Sequence, residues 1–341
     1  MKRLALVTLM IAALAVGACG KDGGGAGGAG GAAKGSPAAK AAEAAQSVFP
    51  QDTKMMIGVS IKQLRDSKLW KQFGEKALTS DSDMKEGMAL LKEKCGLDPL
   101  ALLDSVKIGI TSFEPPSMVI VLGGTFDQTK IHDCFKLVAE KEGKKLSIAV
   151  DEKTKIAEYS VEGETDKAYA AWLDGAIAFI GDEDKIKDRA ALAGLLESKT
   201  SIKDNKELSD LLSKTDTGAT LFAAGGIAGI PGVDQAAAMA GGEVPTALWG
   251  SLSYSKDLKL DLGIRYKTPE AAKKNTDMAN AGLTDAKKNP MLAGLIGGIK
   301  ATFTAEGSDT RAKIEISEKD LDTLVAQATM MLGGMMGGGM E

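Results

Sequence analysis

The stretch MVIVLGGTFDQTKIHDCFKLVAEKE, residues 118–142, sets the pattern on which the rest of the chain is built. Its apolar, β-branched start predicts a strand, Phe126 follows, and Asp127 is a suitable N-cap for a helix that runs to about Gly143. Residues 258–282, LKLDLGIRYKTPEAAKKNTDMANAG, repeat the order of strand, aromatic residue, turn and helix, with Pro269 at the first helical position. The match between the two segments predicts a tandem duplication.

The segments on either side of these two stretches are predicted to form β-hairpins. Two prolines in FEPPS, residues 113–117, favour a turn, and further hairpins are expected at 146–161, 169–182, 246–266 and 299–317. We therefore predict an α+β fold of tandem-duplicated units of antiparallel hairpins and helices. The first repeat spans 48–200, and the second spans 201–341 and ends in a flexible Met/Gly tail. This pattern leaves open whether the two halves share one sheet or form two domains.

Two of the three cysteines lie in the predicted body. Cys95 ends a helical pattern that Gly96 would cap, and Cys134 lies early in the helix that begins after Asp127. Because an exported chain meets an oxidising compartment, we predict a disulfide between Cys95 and Cys134. The alternative is a pair of buried free thiols.

The first residues have the pattern of an export signal. Lys2 and Arg3 form a short positive region, and residues 4–18 are almost wholly apolar, which is too short for a membrane-spanning helix. The tetrapeptide Val16-Gly17-Ala18-Cys19 resembles the lipobox of bacterial lipoproteins. That resemblance implies that residues 1–18 are a signal peptide, that the Cys19 thiol receives a diacylglycerol, and that the new amino terminus is acylated, for instance with palmitate. The alternative is a plain secreted protein with an incidental cysteine.

Residues 19–47 are expected to be a lipid anchor followed by a linker. The glycines and alanines of GKDGGGAGGAGGAAKGS, residues 20–36, cannot bury a core, so this segment would act as a spacer. In enterobacterial lipoproteins an aspartate after the cysteine favours the inner membrane, so Gly20 points to an outer-membrane anchor facing the periplasm. The arrangement of the body also resembles uncharacterised envelope lipoproteins of deltaproteobacterial type, a resemblance that implies no activity.

The charge of the chain disfavours nucleic acid as a partner. Its formal net charge is −4, and loss of Lys2 and Arg3 with the signal peptide would make it more negative. Binding to phosphates requires a basic surface, which this sequence does not supply.

The sequence contains no motif that identifies a catalytic, cofactor or metal site. His132 is the single histidine, and we expect it on the charged surface of its helix. The glycines of 225–232 do not have the spacing of a phosphate-binding loop, and GDEDK at 181–185 fits a helix start capped by Asp182 better than a calcium loop. We therefore predict no enzymatic activity, no cofactor and no metal.

Three segments rich in Gly, Ala, Met and Leu are the remaining candidates for function: 225–242, 289–300 and 329–341. Methionine adapts to varied apolar partners, so the first two could line a groove for an apolar ligand, although core packing is the simpler interpretation. We predict a membrane-tethered envelope lipoprotein with a non-catalytic binding or structural role, whose partners are the membrane and either an apolar ligand or an envelope protein. The alternatives are an exported hydrolase and the solute-binding lipoprotein of a transporter.

Overall fold

The computed structural model describes residues 47–67, 70, 74, 82–181, 188–230, 232–233, 235, 243–254, 256–289, 296–324 and 326. The predicted signal peptide, Cys19, nearly all of the linker, Asp182 and the Met/Gly tail lie outside the described residues.

Twelve strands form one antiparallel sheet, so the predicted α+β class is confirmed. They are β1 (Met55–Ser60), β2 (Leu103–Phe113), β3 (Pro116–Gly124), β4 (Leu146–Asp151), β5 (Ile156–Val161), β6 (Lys167–Leu173), β7 (Ala176–Ile180), β8 (Leu221–Gly226), β9 (Ala247–Tyr254), β10 (Leu258–Arg265), β11 (Ile299–Glu306) and β12 (Asp309–Ile316). Their order across the sheet is β11-β12-β10-β9-β8-β1-β2-β3-β7-β6-β5-β4.

The described helices range from four to 20 residues. They are α1 (Ile61–Asp66), α2 (Ser82–Cys95), α3 (Pro99–Leu102), α4 (Gln128–Lys141), α5 (Arg189–Glu197), α6 (Lys206–Ser213) and α7 (Pro269–Lys288), with a 3-10 turn at Ile202–Asp204. The predicted caps are observed where they are described. Asp127 accepts a hydrogen bond from the Lys130 amide, and Pro269 occupies the first turn of α7 after the N-cap Thr268.

The two halves meet in the middle of the sheet, where β1 and β8 pair antiparallel from Met55 opposite Gly225 to Val59 opposite Leu221. This pairing answers the question that the sequence left open, because both halves contribute to a single sheet. Each half contains one of the two segments quoted above, 118–142 or 258–282. That segment supplies the third strand of a meander and the helix after it. The chain then returns so that its last strand pairs with that third strand, β7 with β3 and β12 with β10.

The halves differ in the number of strands after their shared helix. The first half places the hairpins β4–β5 and β6–β7 there, whereas the second half places only β11–β12. The common topology agrees with a duplication, which itself stays a prediction.

The helices cover both faces of the sheet and make two cores. On one face, α2 and α4 pack with Leu91 and Phe135 on strand residues such as Leu122. On the other face, α5 and α6 pack with Leu192 and Leu211 on strand residues that include Val121, Phe222 and Trp249. Strand register places Ile264, which packs beside α7, on the same face as α4.

Two glycines let aromatic rings lie directly on the sheet. A Cβ atom on Gly58 would stand 2.0 Å from the Phe222 ring, and one on Gly263 would stand 2.0 Å from the Trp249 indole. No side chain fits at either position without moving the ring, so glycine is required for close approach rather than for a special backbone angle.

Candidate functional site

The most distinctive site is the pair of helices α2 and α4, which cover one end of the sheet and are covalently joined. The structure links Cys95, the last residue of α2, to Cys134 in α4, with 5.4 Å between their Cα atoms and a sequence separation of 39 residues. Gly96 follows with a φ of +64°, and its amide donates to the Lys92 carbonyl oxygen, which ends α2 at the cysteine.

A groove of about 360 Å³ lies between the two joined helices. Its lining residues are Leu90, Lys94, Leu137, Val138, Glu140 and Lys141. Leu137 is 45% exposed, while Val138 beside it is buried in the core. The floor of the groove is therefore apolar, and charged side chains form its rim.

Beneath α4 lies a buried polar cluster of His132, Tyr159 and Trp172. The Trp172 indole Nε1 donates to the Tyr159 hydroxyl at 2.9 Å, and that hydroxyl lies 3.1 Å from His132 Nε2. The imidazole also meets the Trp172 ring edge to face, with 4.9 Å between centroids. A neutral His132 with no proton on Nε2 can accept the phenolic proton, while the Tyr159 oxygen accepts the indole N–H.

Burial explains the protonation of this cluster. Burial lowers the pKa of His132 and the charge of Lys136 lowers it further, against a smaller opposite effect of Asp133. Burial likewise raises the pKa of Tyr159 well above its ordinary value, and the hydrogen bond from Trp172 offsets only part of this change. Both groups therefore stay neutral at pH 7.

The sequence-based expectation of a surface His132 is wrong, since the residue is only 7% exposed. It lies three residues before Phe135 and seven before Ala139, both of which are buried. That helical spacing was the signal that would have placed His132 on the inner face of α4.

The chemistry of this cluster is that of a satisfied polar core. The hydrogen-bond partner of His132 is a phenol, and the neighbouring Cys134 sulfur belongs to the disulfide. Among the described residues no group of three or more His, Cys, Asp or Glu side chains could hold a metal ion.

In the same part of the chain, no helix is long and apolar enough to cross a membrane.

Two further cavities have mixed polar and apolar walls. One of about 330 Å³ lies where the chain enters the body, between Val48, the β4–β5 turn at Lys153–Lys155, and α5. The other, of about 460 Å³, lies beside Asn205, whose side-chain amide donates to the carbonyl oxygens of Gln51 and Thr53 at 3.0 Å each. Asn205 thus holds the backbone of its own chain.

The apolar segments predicted to form a ligand cleft are described only in part. Gly225 and Gly226 end β8, and Ile299 and Lys300 begin β11. The rest of 225–242 is described only at 227–230, 232–233 and 235, while 290–295 and 329–341 lie outside the described residues. The predicted cleft therefore stays a prediction.

The groove between α2 and α4 was not predicted from the sequence, because no local pattern shows which two helices become neighbours.

No family model and no curated protein matches this chain. Three crystal forms of TP0453 are similar in structure: form III has 8% identity and a TM-score of 0.45, form I has 8% and 0.44, and form IV has 9% and 0.43. These matches cover 82–83% of this chain and 95–97% of the other. A likeness at this level carries no functional argument.

Proposed function

We propose that this protein is a membrane-tethered lipoprotein of the bacterial envelope, anchored through Cys19, whose body binds an amphiphile in the groove between α2 and α4. The observation that carries the binding role is this groove, where Leu137 is 45% exposed above an apolar floor. The lipobox-like sequence Val16-Gly17-Ala18-Cys19 supports the anchor.

The lining of the groove suits a ligand with an apolar tail. Each Å² of apolar surface removed from water contributes about 25 cal/mol, so covering the exposed faces of Leu90 and Leu137 favours binding. The volume of about 360 Å³ lies at the small end of ligand pockets. A single acyl chain is therefore a better fit than a bulky ring system.

The rim supplies charge for the other end of such a ligand. Lys94 on α2 and Lys141 on α4 both line the groove, together with the single carboxylate of Glu140. Two ammonium groups against one carboxylate leave a net positive rim, which favours an acidic head group. The ligand class that follows is a single-chain amphiphile with an acid head.

The disulfide prepares the groove for binding. It joins the last residue of α2 to the second turn of α4, so the two walls keep their separation when the groove is empty. A site whose walls are already ordered loses less conformational entropy on binding.

The groove is tested by photolabelling the full-length protein in membranes with a diazirine-bearing fatty acid. We expect labelled peptides from 82–95 and 128–141, and a loss of at least tenfold in labelling for Leu137→Gln. Leu221→Gln is the matched control, because Leu221 is 41% exposed but lies on β8. Equal labelling of both variants, or labels elsewhere only, would overturn the binding role.

The anchor is tested separately by metabolic labelling with an alkyne analogue of palmitate. We expect label on the wild-type chain, loss of label in Cys19→Ala, and release of that variant from the outer-membrane fraction. Retention of label in Cys19→Ala would rule out this anchor and leave the groove result unaffected.

A further inference from the structure

The sequence of the edge strand β11 is self-complementary when two copies pair antiparallel. Residues 300–306 are K-A-T-F-T-A-E, a palindrome about Phe303 except that its two ends carry opposite charges, Lys300 and Glu306. In the sheet this strand pairs with β12 on one side, and it lies at one edge of the described strand order. From this we propose that β11 pairs antiparallel with β11 of a second copy, about a two-fold axis through Phe303.

The backbone of β11 is arranged for such pairing. The hairpin closes with Glu306 opposite Asp309, and the ladder to β12 continues for eight pairs without a bulge. The amide of Tyr266 donates to the Ser308 carbonyl oxygen, so the backbone groups of Ser308 point toward β10. Because these directions alternate along a strand, the backbone groups of Asp309 point toward β11, and those of its partner Glu306 point toward β12. By alternation, the N–H and C=O groups of Ile299, Ala301, Phe303 and Ala305 point away from β12, toward the free edge.

A side-chain contact supports this orientation. Asn280 on α7 donates through Nδ2 to the Phe303 carbonyl oxygen at 3.2 Å. This oxygen therefore faces outward, and its second lone pair can still accept from another strand. Natural edge strands are shielded by proline, bulges, short length or charged side chains; of these β11 has only the charges of Lys300 and Glu306, which the two-fold register places opposite each other.

The side chains match in the two-fold register. With Phe303 opposite its copy, Ala301 of each chain faces Ala305 of the other. The Phe303 pair and the two Ala301–Ala305 pairs each exchange two backbone hydrogen bonds, which gives six across the interface. Thr302 then faces Thr304, and Lys300 faces Glu306, in the pairs whose side chains come closest. All four of these residues are exposed and lie on the same face of the sheet.

The charges complete the argument for a second copy as the partner. A two-fold interface is self-complementary, so residue i contacts j and j contacts i. Two Lys300–Glu306 ion pairs satisfy that requirement, one on each side of the axis. Within the described chain, Glu306 is held only weakly, 3.7 Å from Arg311, and Lys300 makes no ion pair. The other edge strand, β4, has the sequence LSIAVD and no such symmetry.

The first test uses a zero-length carbodiimide, which joins an amine to a carboxylate that it contacts. Lys300 and Glu306 are six residues apart on one strand, about 20 Å, so a link between them within one molecule is out of reach. We expect full-length wild-type protein to yield a covalent dimer with a Lys300–Glu306 link. Absence of that link, with or without a dimer joined elsewhere, would overturn the proposal.

The second test reverses the charges and measures dimer dissociation of the full-length protein by sedimentation in density-matched detergent. Lys300→Glu and Glu306→Lys each place like charges opposite one another twice, so we expect dissociation constants at least tenfold higher. The double variant K300E/E306K restores both pairs and should return to within about threefold of wild type. Lys313→Glu is the control for Lys300→Glu, since exposed Lys313 lies on β12 and its replacement changes the net charge by the same amount. Unchanged dissociation in the single variants, or no recovery in the double variant, would exclude this interface.

Discussion

At the scale of single residues, Tyr159 shows how a polar group is kept in the core. Its hydroxyl accepts from Trp172 and is hydrogen-bonded to His132 Nε2, so three side chains from α4, β5 and β6 satisfy one another. A buried polar group without a partner costs more free energy than the hydrogen bond itself contributes. The cluster therefore specifies how α4 is seated on the sheet, in addition to stabilising it.

Replacing Tyr159 with Phe removes the hydroxyl and leaves two buried nitrogen atoms without a partner. We expect the free energy of unfolding to fall by about 1–3 kcal/mol, measured by urea denaturation at pH 7. Tyr266→Phe is the control, because Tyr266 is also buried, at 8% exposed against 2% for Tyr159, but its hydroxyl makes no hydrogen bond in the described part of the chain. A similar small loss in both variants would show that the cluster contributes nothing beyond packing.

At the scale of elements, the disulfide connects two helices that the sheet alone would hold separately. Leu91 of α2 and Phe135 of α4 pack in the same core, but α2 contacts the sheet less extensively than α4 does. A crosslink restricts the unfolded chain, and the effect grows slowly with the size of the loop that it closes.

Cys95→Ser combined with Cys134→Ser opens a loop of 39 residues. The loop-entropy model predicts a loss of about 4 kcal/mol in the free energy of unfolding. We also expect faster hydrogen exchange in α2 than in α4, because α4 keeps its contacts with the sheet. Uniform exchange in both helices would contradict this account, and a mass 2 Da higher after reduction checks that the wild-type bond is formed.

At the scale of the whole molecule, a cluster of charges in the second half joins α6 to strands β10 and β12. Arg265 on β10 makes two hydrogen bonds to Asp309 on β12, at 2.7 and 3.0 Å, and one to Asp210 on α6 at 2.9 Å. Lys214, which follows α6, adds a bond to Asp309 at 2.8 Å. Because α6 also packs on the core that contains first-half strands, α6 connects this charge cluster to the first half.

This cluster makes stability depend on pH in the acid range. Burial raises the pKa of Asp309, but the hydrogen bonds and charges of Arg265 and Lys214 outweigh burial, so its pKa lies below the ordinary value. A carboxyl group whose pKa is lowered by folding stabilises the protein above its unfolded pKa of about 3.9, and this contribution is lost as the pH falls through the folded pKa.

We expect Asp309→Asn to lower the free energy of unfolding by about 2 kcal/mol at pH 7, with the difference from wild type shrinking below about pH 4. Thermal denaturation from pH 3 to pH 7 measures both effects. Asp277→Asn serves for comparison, because its pair with Lys273 is exposed on α7 and should contribute less than about 0.5 kcal/mol. A difference that stayed constant across this range would refute the assignment.

The sequence by itself determined the local elements of this protein. Hairpin positions, the cap at Asp127, the helix start at Pro269 and the α+β class depend on spacing and turn chemistry within a few residues, and the structure confirms them. The interior position of His132 was also encoded locally, in the spacing to Phe135 and Ala139, but the charged neighbours obscured it.

Only the tertiary structure decided how distant segments meet. The β1–β8 pairing that unites the halves joins residues more than 160 positions apart, and backbone hydrogen bonds in a sheet carry no sequence code for a particular partner strand. The groove between α2 and α4 and the charge cluster around Asp309 arise in the same way, from elements whose neighbours are chosen by the burial of the whole core. Local patterns determine what each segment becomes, whereas the global burial of apolar surface determines which segments become neighbours.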